Sequence, residues 1–412
     1  MGAQPQPQED VVIPDHVPPE LVRQFSFWTT PGMAPQPNGN PQAALSFVHH
    51  DMPRVFYAPR NMYDGQGTWV ITRADDQRRI LQDAETFSNN RYLFTKALGE
   101  DLPMVPLEID PPHHGKYRML LNPMMSPKKV DALEPAARAR CAKLIESFKD
   151  RGECEVLGDF ALPYSVGVAL DFLGLPQERG MEFVGWAKAQ LHGTPDERLD
   201  AMRTVVAFMK ELMAEKKKRP TDDFMSVLLG SEVEGRPLND LEVLGIAILM
   251  FEAGYDNVAA GLGFGLNHLA RHQDDQARLR AQPELIKSAT EEFMRAYSTV
   301  QLIRRAVKDV EFEGVRMKEG DFVSCATMIA NRDPLEFENP DTVDIARADN
   351  RHVAFAYGPH RCLGSHLARK ELNIGYEEFL SRIPTFRIKE GTAPTTYGGH
   401  VFGIDKLVLA WG

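Results

Sequence analysis

The sequence predicts a mainly α protein with a small β part. Three features carry that expectation. Apolar residues recur at helical spacing from residue 112 to about 295, the texture turns to apolar–polar alternation after residue 305, and no regular strand–helix alternation runs along the chain. The 412 residues are 43% hydrophobic and 25% charged, so the chain can bury a large core without a disulfide or metal staple.

Residues 1–18 are rich in Pro and Gln and are expected to form a flexible N-terminal segment, with 19–412 as one domain. "PGMAPQPNGNPQ" (31–42) is a second loose stretch. "TWVITR" (68–73) has the content of a strand, and "RADDQRRILQDAETFS" then reads as a short helix. "DALEPAARARCAKLIESFKDRG" is a helix stopped at Gly152, and "DERLDAMRTVVAFMKELMAEKKKRP" is another stopped by Pro220. "NDLEVLGIAILMFEAGYDNVAAGLGFGLNHLARH" (239–272) is apolar nearly all round, so it should form a long, central, buried helix capped by Asn239 or Asp240. "VEFEGVRMKEGDFVSCATMIANRD" reads as short strands and hairpins. Leu372, Tyr376, Phe379, Leu380 and Ile383 then mark a helix face.

The formal charge of −11, from 58 acids and 47 bases, argues against nucleic acid or an anionic membrane as partner. Cys141, Cys154, Cys325 and Cys362 form no CxxC pair, which fits a reducing compartment. The N-terminus lacks the basic and apolar regions of a signal peptide, and the longest nearly apolar stretch, 243–251, is short against the about 20 residues of a bilayer span. The expectation is a cytoplasmic protein with no membrane partner.

Chemistry concentrates in "FAYGPHRCLG" (355–364). Cys362 sits where a tight loop runs into a helix. A thiolate binds soft or borderline metals, and first-turn N–H groups donating to the sulfur would lower its pKa. Gly358 would allow the turn and Gly364 a close backbone approach. Read alone, the residues also allow a plain buried cysteine, or a zinc site from His360, Cys362 and His366.

With Phe355, Gly358, His360, Arg361, Cys362 and Gly364 in place, the segment fits F-x-x-G-x-H-R-C-x-G and resembles the haem-binding loop of the cytochrome P450 monooxygenases. Three segments in the same chain order extend the resemblance. "EEFMR" supplies Glu292 and Arg295 as E-x-x-R, "DPPHHGKYR" supplies His114 and Arg118, and "EAGYDN" supplies Ala253, Gly254, Asp256 and Asn257. The resemblance covers nearly the whole chain and is strongest to the soluble bacterial camphor hydroxylase branch.

It implies a P450 fold, with haem b (iron protoporphyrin IX) between the long distal helix and the Cys-bearing proximal helix. Cys362 would be the iron ligand, with Phe355 shielding it. His114, Arg118, Arg304 and His360 would hold propionates. Glu292, Arg295 and Arg347 would form a structural triad. Ala253 and Gly254 would leave room for dioxygen, and Asp256 would relay protons. Asn257 stands where the family usually has Thr; an amide hydrogen-bonds water but relays protons poorly. By the same resemblance Tyr92, Phe94, Leu98, Leu102, Leu249, Glu252, Val300, His400 and Val401 would contact substrate, with Leu102 in place of the camphor branch's ketone-binding tyrosine. The implied activity is hydroxylation of a small hydrophobic molecule, a monoterpenoid or norisoprenoid, with O2 and two electrons. The electrons would come from an iron–sulfur ferredoxin and its NAD(P)H-dependent reductase, docked near Lys116, Arg118, Arg361, Arg369 and Lys370. The alternative is a haem-thiolate protein outside that cycle: a peroxide-using enzyme, an isomerase or a non-catalytic sensor. A monomer is expected.

Overall fold

The computed structural model describes residues 13–27, 40–62, 65–90, 102, 104–254 and 256–412. The protein is 52% helical and 14% strand, the mainly α balance read from the sequence. Strands β1 (Val55–Ala58) and β2 (Thr68–Ile71), helix α1 (Ala74–Gln82) and strand β3 (Phe87–Ser88) come first. Helices α2 (His113–Leu121), α3 (Pro127–Phe148), α4 (Leu162–Leu173), α5 (Gly180–His192), α6 (Pro195–Lys218) and α7 (Phe224–Leu229) follow, with β4 (Glu153–Glu155) after α3 and the hairpin β5 (Glu232–Val233) and β6 (Arg236–Pro237) after α7. Next come α8 (Asp240–Ala253), α9 (Asp256–Arg271), α10 (Gln273–Ala281) and α11 (Ile286–Ala296). The C-terminal part holds β7 (Gln301–Ala306), β8 (Val310–Phe312), β9 (Val315–Met317), β10 (Phe322–Ala326), α12 (Ser365–Arg382), β11 (Phe386–Ile388), β12 (Thr395–Tyr397), β13 (Gly403–Lys406) and β14 (Val408–Trp411).

The main sheet has the order β1-β2-β10-β7-β3, with β10 parallel to β2 and antiparallel to β7. A second sheet, β11-β14-β4, joins the C-terminus to the middle of the chain. Of the expected flexible segment, residues 1–12 lie outside the described residues. Within the rest, Val17 is buried against β1 and β2, and His16 bonds Asp321 at 2.8 Å.

The long apolar helix is divided at Gly254 into α8 and α9. Its start follows the sequence, with Asn239 accepting from the Glu242 N–H and Glu242 accepting from the Asn239 N–H. α9 then crosses α12 closely because glycines remove bulk on both sides. A Cβ at Gly265 would lie 2.1 Å from the Tyr376 hydroxyl, and one at Gly375 would lie 2.5 Å from Leu262. The Tyr376 hydroxyl donates to the Gly261 carbonyl at 2.7 Å, satisfying the buried phenol. The runs Val156–Leu173 and Asp240–Arg271 are apolar and long enough to cross a bilayer, but 72% and 59% of their apolar windows are buried inside this fold. That is the property of core helices.

Glu292 and Arg295 lie on α11, fully buried, with two contacts of 2.8 Å between them. Arg347 adds a 3.0 Å contact to Glu292, and Asn350 donates to the same carboxylate at 3.1 Å. Arg295 also donates to the carbonyls of Asn331, Pro340 and Thr342. Residues 331–350, with no helix or strand of their own, are thus strung around one ion pair.

Glu292→Gln removes the charge that compensates buried Arg295. The expected loss is about 3–5 kcal/mol, read as a lower denaturant midpoint with an unchanged slope.

Candidate functional site

The loop before α12 follows from its residues. Gly358 has φ +73, and a Cβ there would lie 2.4 Å from the Leu81 carbonyl oxygen, so both conformation and space require glycine. Turn bonds run from Arg361 N–H to Gly358 O at 3.0 Å and from Cys362 N–H to Phe355 O at 2.9 Å. Gly364 caps α12, and a Cβ there would meet no protein atom within 4 Å, so no neighbouring side chain dictates glycine. The Arg369 guanidinium lies 4.4 Å above the Phe355 ring and is held by Glu291 at 2.6 and 2.9 Å.

Cys362 is crowded by protein atoms and yet accessible. The expected lowering of its pKa is corrected. Burial raises the thiol, and this outweighs the Gly364 N–H and the nearby arginines Arg118, Arg361 and Arg369, which act the other way. A bound metal would act the other way and favour the thiolate. The other three cysteines are buried free thiols, pushed up to about 12 at Cys325 and further at Cys141 and Cys154.

The α2 residues meet the loop. His114 and His360 rings lie 4.1 Å apart, and Arg118 donates to the Arg361 carbonyl at 2.7 Å. His114 is pushed down to about 4, first by burial and then by Arg118, so it stays neutral, and its buried Nε2 has no partner. His360 Nε2 is 4.0 Å from Asp110. Arg304, on β7, is buried, and burial pushes it down to about 10, so it remains a cation. Its hydrogen bonds go to neutral oxygens, Asn89 Oδ1 at 2.8 Å and the Ile303 carbonyl at 3.0 Å. A buried cation on neutral acceptors beside an orphaned imidazole nitrogen fits an incoming carboxylate. A recess of about 420 Å³ opens between His114, Arg118 and Pro359.

On the central helices, Ala253 and Asn257 are exposed beside half-buried Glu252, Gly254 and Asp256. Gly254 differs from expectation. Its missing Cβ would lie 2.9 Å from the Ala169 Cβ, so its smallness also lets α4 approach. Asp256 accepts from the Tyr397 hydroxyl at 3.1 Å. Burial raises its carboxyl to about 6, and the Tyr397 bond lowers it by less. Asn257 Oδ1 accepts from the Thr299 hydroxyl at 2.8 Å. The sequence offered no sign of Tyr397 or Thr299. Each comes from a segment far along the chain, and neither lies in a motif.

Of the expected substrate contacts, Tyr92, Phe94 and Leu98 lie outside the described residues. Leu102 is buried in the main core at 1% exposure, so it presents almost no surface to a ligand. Leu249, Glu252, Val300, His400 and Val401 are half-buried, and Val300 and Val401 form a β-bridge. The basic docking candidates carry ion pairs: Lys116 with Glu234, Arg369 with Glu291, and Lys370 with Glu134 and Asp131. Arg361 stays exposed, with a 3.5 Å contact to Ser365.

The zinc alternative finds no geometry. Among the described residues the metal-type cluster is instead His268, His272 and Asp275. Its imidazoles stack 4.1 Å apart at 17°, so their in-plane lone pairs run side by side and do not converge on one ion. His268 is already bonded at both nitrogens, to Tyr297 and Asp275, each at 2.8 Å.

An exposed cysteine at the start of α12 thus lies on the loop that meets His114 and Arg118, with buried Arg304 close to His114, a donor set suited to a thiolate-held metal cofactor that carries carboxylates. Comparison with known proteins agrees. The family model described as "Cytochrome P450" matches residues 182–404. The "Probable cytochrome P450 127A1" of Sinorhizobium fredii is 56% identical over 400 residues, covering 97% of each chain. Among solved structures, CYP101C1 superposes with a TM-score of 0.87 at 32% identity, covering 97% of this chain and 100% of its own. CYP101J2 gives 0.86 at 30%, covering 97% and 99%. The chain belongs to the cytochrome P450 family, enzymes that carry haem b, and it resembles the bacterial camphor branch.

Two outcomes are expected. Gly358→Ala strains the loop by about 1–3 kcal/mol and lowers the ratio of haem to protein absorbance in the purified enzyme. For Asp256, the folded pKa of about 6 lies above the unfolded value, so its protonated form favours folding at low pH. That contribution is lost as pH rises toward 6. Asp256→Asn should therefore gain stability over the native protein between about pH 4 and 6 and keep the gain above, as read by thermal unfolding across pH.

Proposed function

We propose that the protein is a haem-thiolate monooxygenase that hydroxylates a small, largely apolar molecule, with a monoterpenoid or norisoprenoid as the favoured class. The observation that carries it is Cys362, an accessible cysteine at the start of α12 with the Gly364 N–H directed at its sulfur. When bound, the haem supplies dioxygen activation, favoured by electron donation from a thiolate ligand. Cys362 is the ligand, and the loop holds its sulfur in place. Arg118, Arg304, His114 and His360 take the propionates. Phe355, packed under Arg369, shields the sulfur.

Asp256 moves protons, and its carboxyl near pH 6 suits exchange at neutral pH. Tyr397 keeps that carboxyl in one place. Asn257 orients water. Such a proton path favours the reductive cycle over a peroxide-using enzyme, an isomerase or a sensor, none of which needs it. Half-buried Leu249, Val300 and Val401 give the substrate apolar walls, while Glu252 and His400 are the polar groups nearby in sequence. Electrons come from a separate ferredoxin and its reductase, docking around exposed Arg361. The protein acts as a cytoplasmic monomer.

The test is a reduced carbon monoxide difference spectrum followed by turnover of a terpenoid panel with ferredoxin, reductase and NADH. The thiolate-type band and NADH-dependent hydroxylated product are expected, and Cys362→Ala should lose the band. A band that survives Cys362→Ala defeats the ligand assignment. Product with peroxide but none with NADH defeats the reductive cycle.

A further inference from the structure

The helix position that carries Asn257 has no hydroxyl of its own, yet a hydroxyl is present. The Thr299 Oγ–H donates to Asn257 Oδ1 at 2.8 Å from 42 positions away. We propose that Thr299 is a positioning residue for the distal pocket. Its hydroxyl holds the Asn257 amide in one orientation, so that the amide presents N–H donors, not its carbonyl oxygen, to a ligand bound there. The inference rests on the haem reading above and deepens it.

An amide has a donor end and an acceptor end of nearly the same shape. A half-turn about its terminal bond exchanges them. Asn257 is exposed, and among the described residues the Thr299 bond is the hydrogen bond of its side chain. A threonine hydroxyl can donate or accept; here it donates to Oδ1, which leaves Nδ2 as the end turned away from Thr299. The Thr299 backbone is itself fixed. The Thr299 carbonyl accepts from the Phe402 N–H at 2.8 Å, and the next residue, Val300, is bridged to Val401. Thr327 clamps Val300 from the other side, its N–H donating to the Val300 carbonyl at 3.0 Å and its hydroxyl at 2.8 Å. A hydroxyl on so constrained a backbone can orient a neighbour. With Oδ1 engaged, Nδ2 can stabilise negative charge on a bound oxygen or hold a water, and it cannot take a proton.

Carbon monoxide bound to the reduced haem is the probe. Its infrared stretch falls when an N–H donor approaches its oxygen. Thr299→Val keeps the shape and removes the hydroxyl, so the band should move to higher frequency and broaden. Thr299→Ser should restore the native band. Asn257→Ala should shift it in the same direction, and Thr299→Val added to Asn257→Ala should shift it no further. A Thr299→Val band coincident with the native one overturns the inference, as does a double variant shifted beyond Asn257→Ala. A lower unfolding midpoint with an unmoved band would show a role confined to packing and overturns it too. The visible absorption of the same samples is read first. Without a thiolate-type band the parent reading fails and Thr299 with it, whereas a normal band with an unmoved stretch sinks the Thr299 inference alone.

Discussion

The Glu292–Arg295 ion pair is the constraint on which the proximal half of the site depends. Both groups are fully buried, which costs several kcal/mol per ion unless every lone pair and proton finds a partner. Here they do. Glu292 accepts from Arg295, Arg347, Asn350 and the Asp344 N–H, and Arg295 spends its remaining donors on three carbonyls of the coil. A coil without helix or strand to hold it acquires a single path, and that path leads into the loop carrying Cys362.

The neighbouring residue of α11 extends the same logic. Glu291 holds both Arg369 and His352, and burial is outweighed by these partners, so its carboxyl sits at about 2. Arg369 in turn covers Phe355, whose carbonyl receives the Cys362 N–H. Two successive carboxylates on one helix thus fix the loop from behind. Arg369 on this face is thus part of the structure that holds the loop.

Much of this was legible in the sequence because it is local. F-x-x-G-x-H-R-C-x-G and E-x-x-R place their residues within ten and four positions, and helix periodicity located α3, α6 and α12 to within a few residues. What was not legible depends on tertiary neighbours. A helix N-terminus suggested a lowered Cys362 pKa, but desolvation is a property of the packed site and reverses the sign. Gly254 looked like room for a ligand, and its Cβ direction turns out to meet Ala169 of α4. Lys116, Arg369 and Lys370 read as free charge, since an ion pair to a residue about 80 to 240 positions away leaves no mark on the chain.

The distal half is organised by a different rule. Asp256 and Asn257 are adjacent, just after the break in the central helix, and neither is held by a residue of that helix pair. Their partners are hydroxyls, Tyr397 on β12 and Thr299 before β7. Those two segments are themselves joined, since Thr299 accepts from Phe402 and Val300 bridges Val401. The half-buried Val300 and Val401 belong to the same short ladder. A change in the shape of that ladder therefore bears on the amide through Thr299, whose hydroxyl bonds Asn257 at 2.8 Å. Apolar contour and polar orientation are set by one piece of backbone, so neither can be altered there without the other.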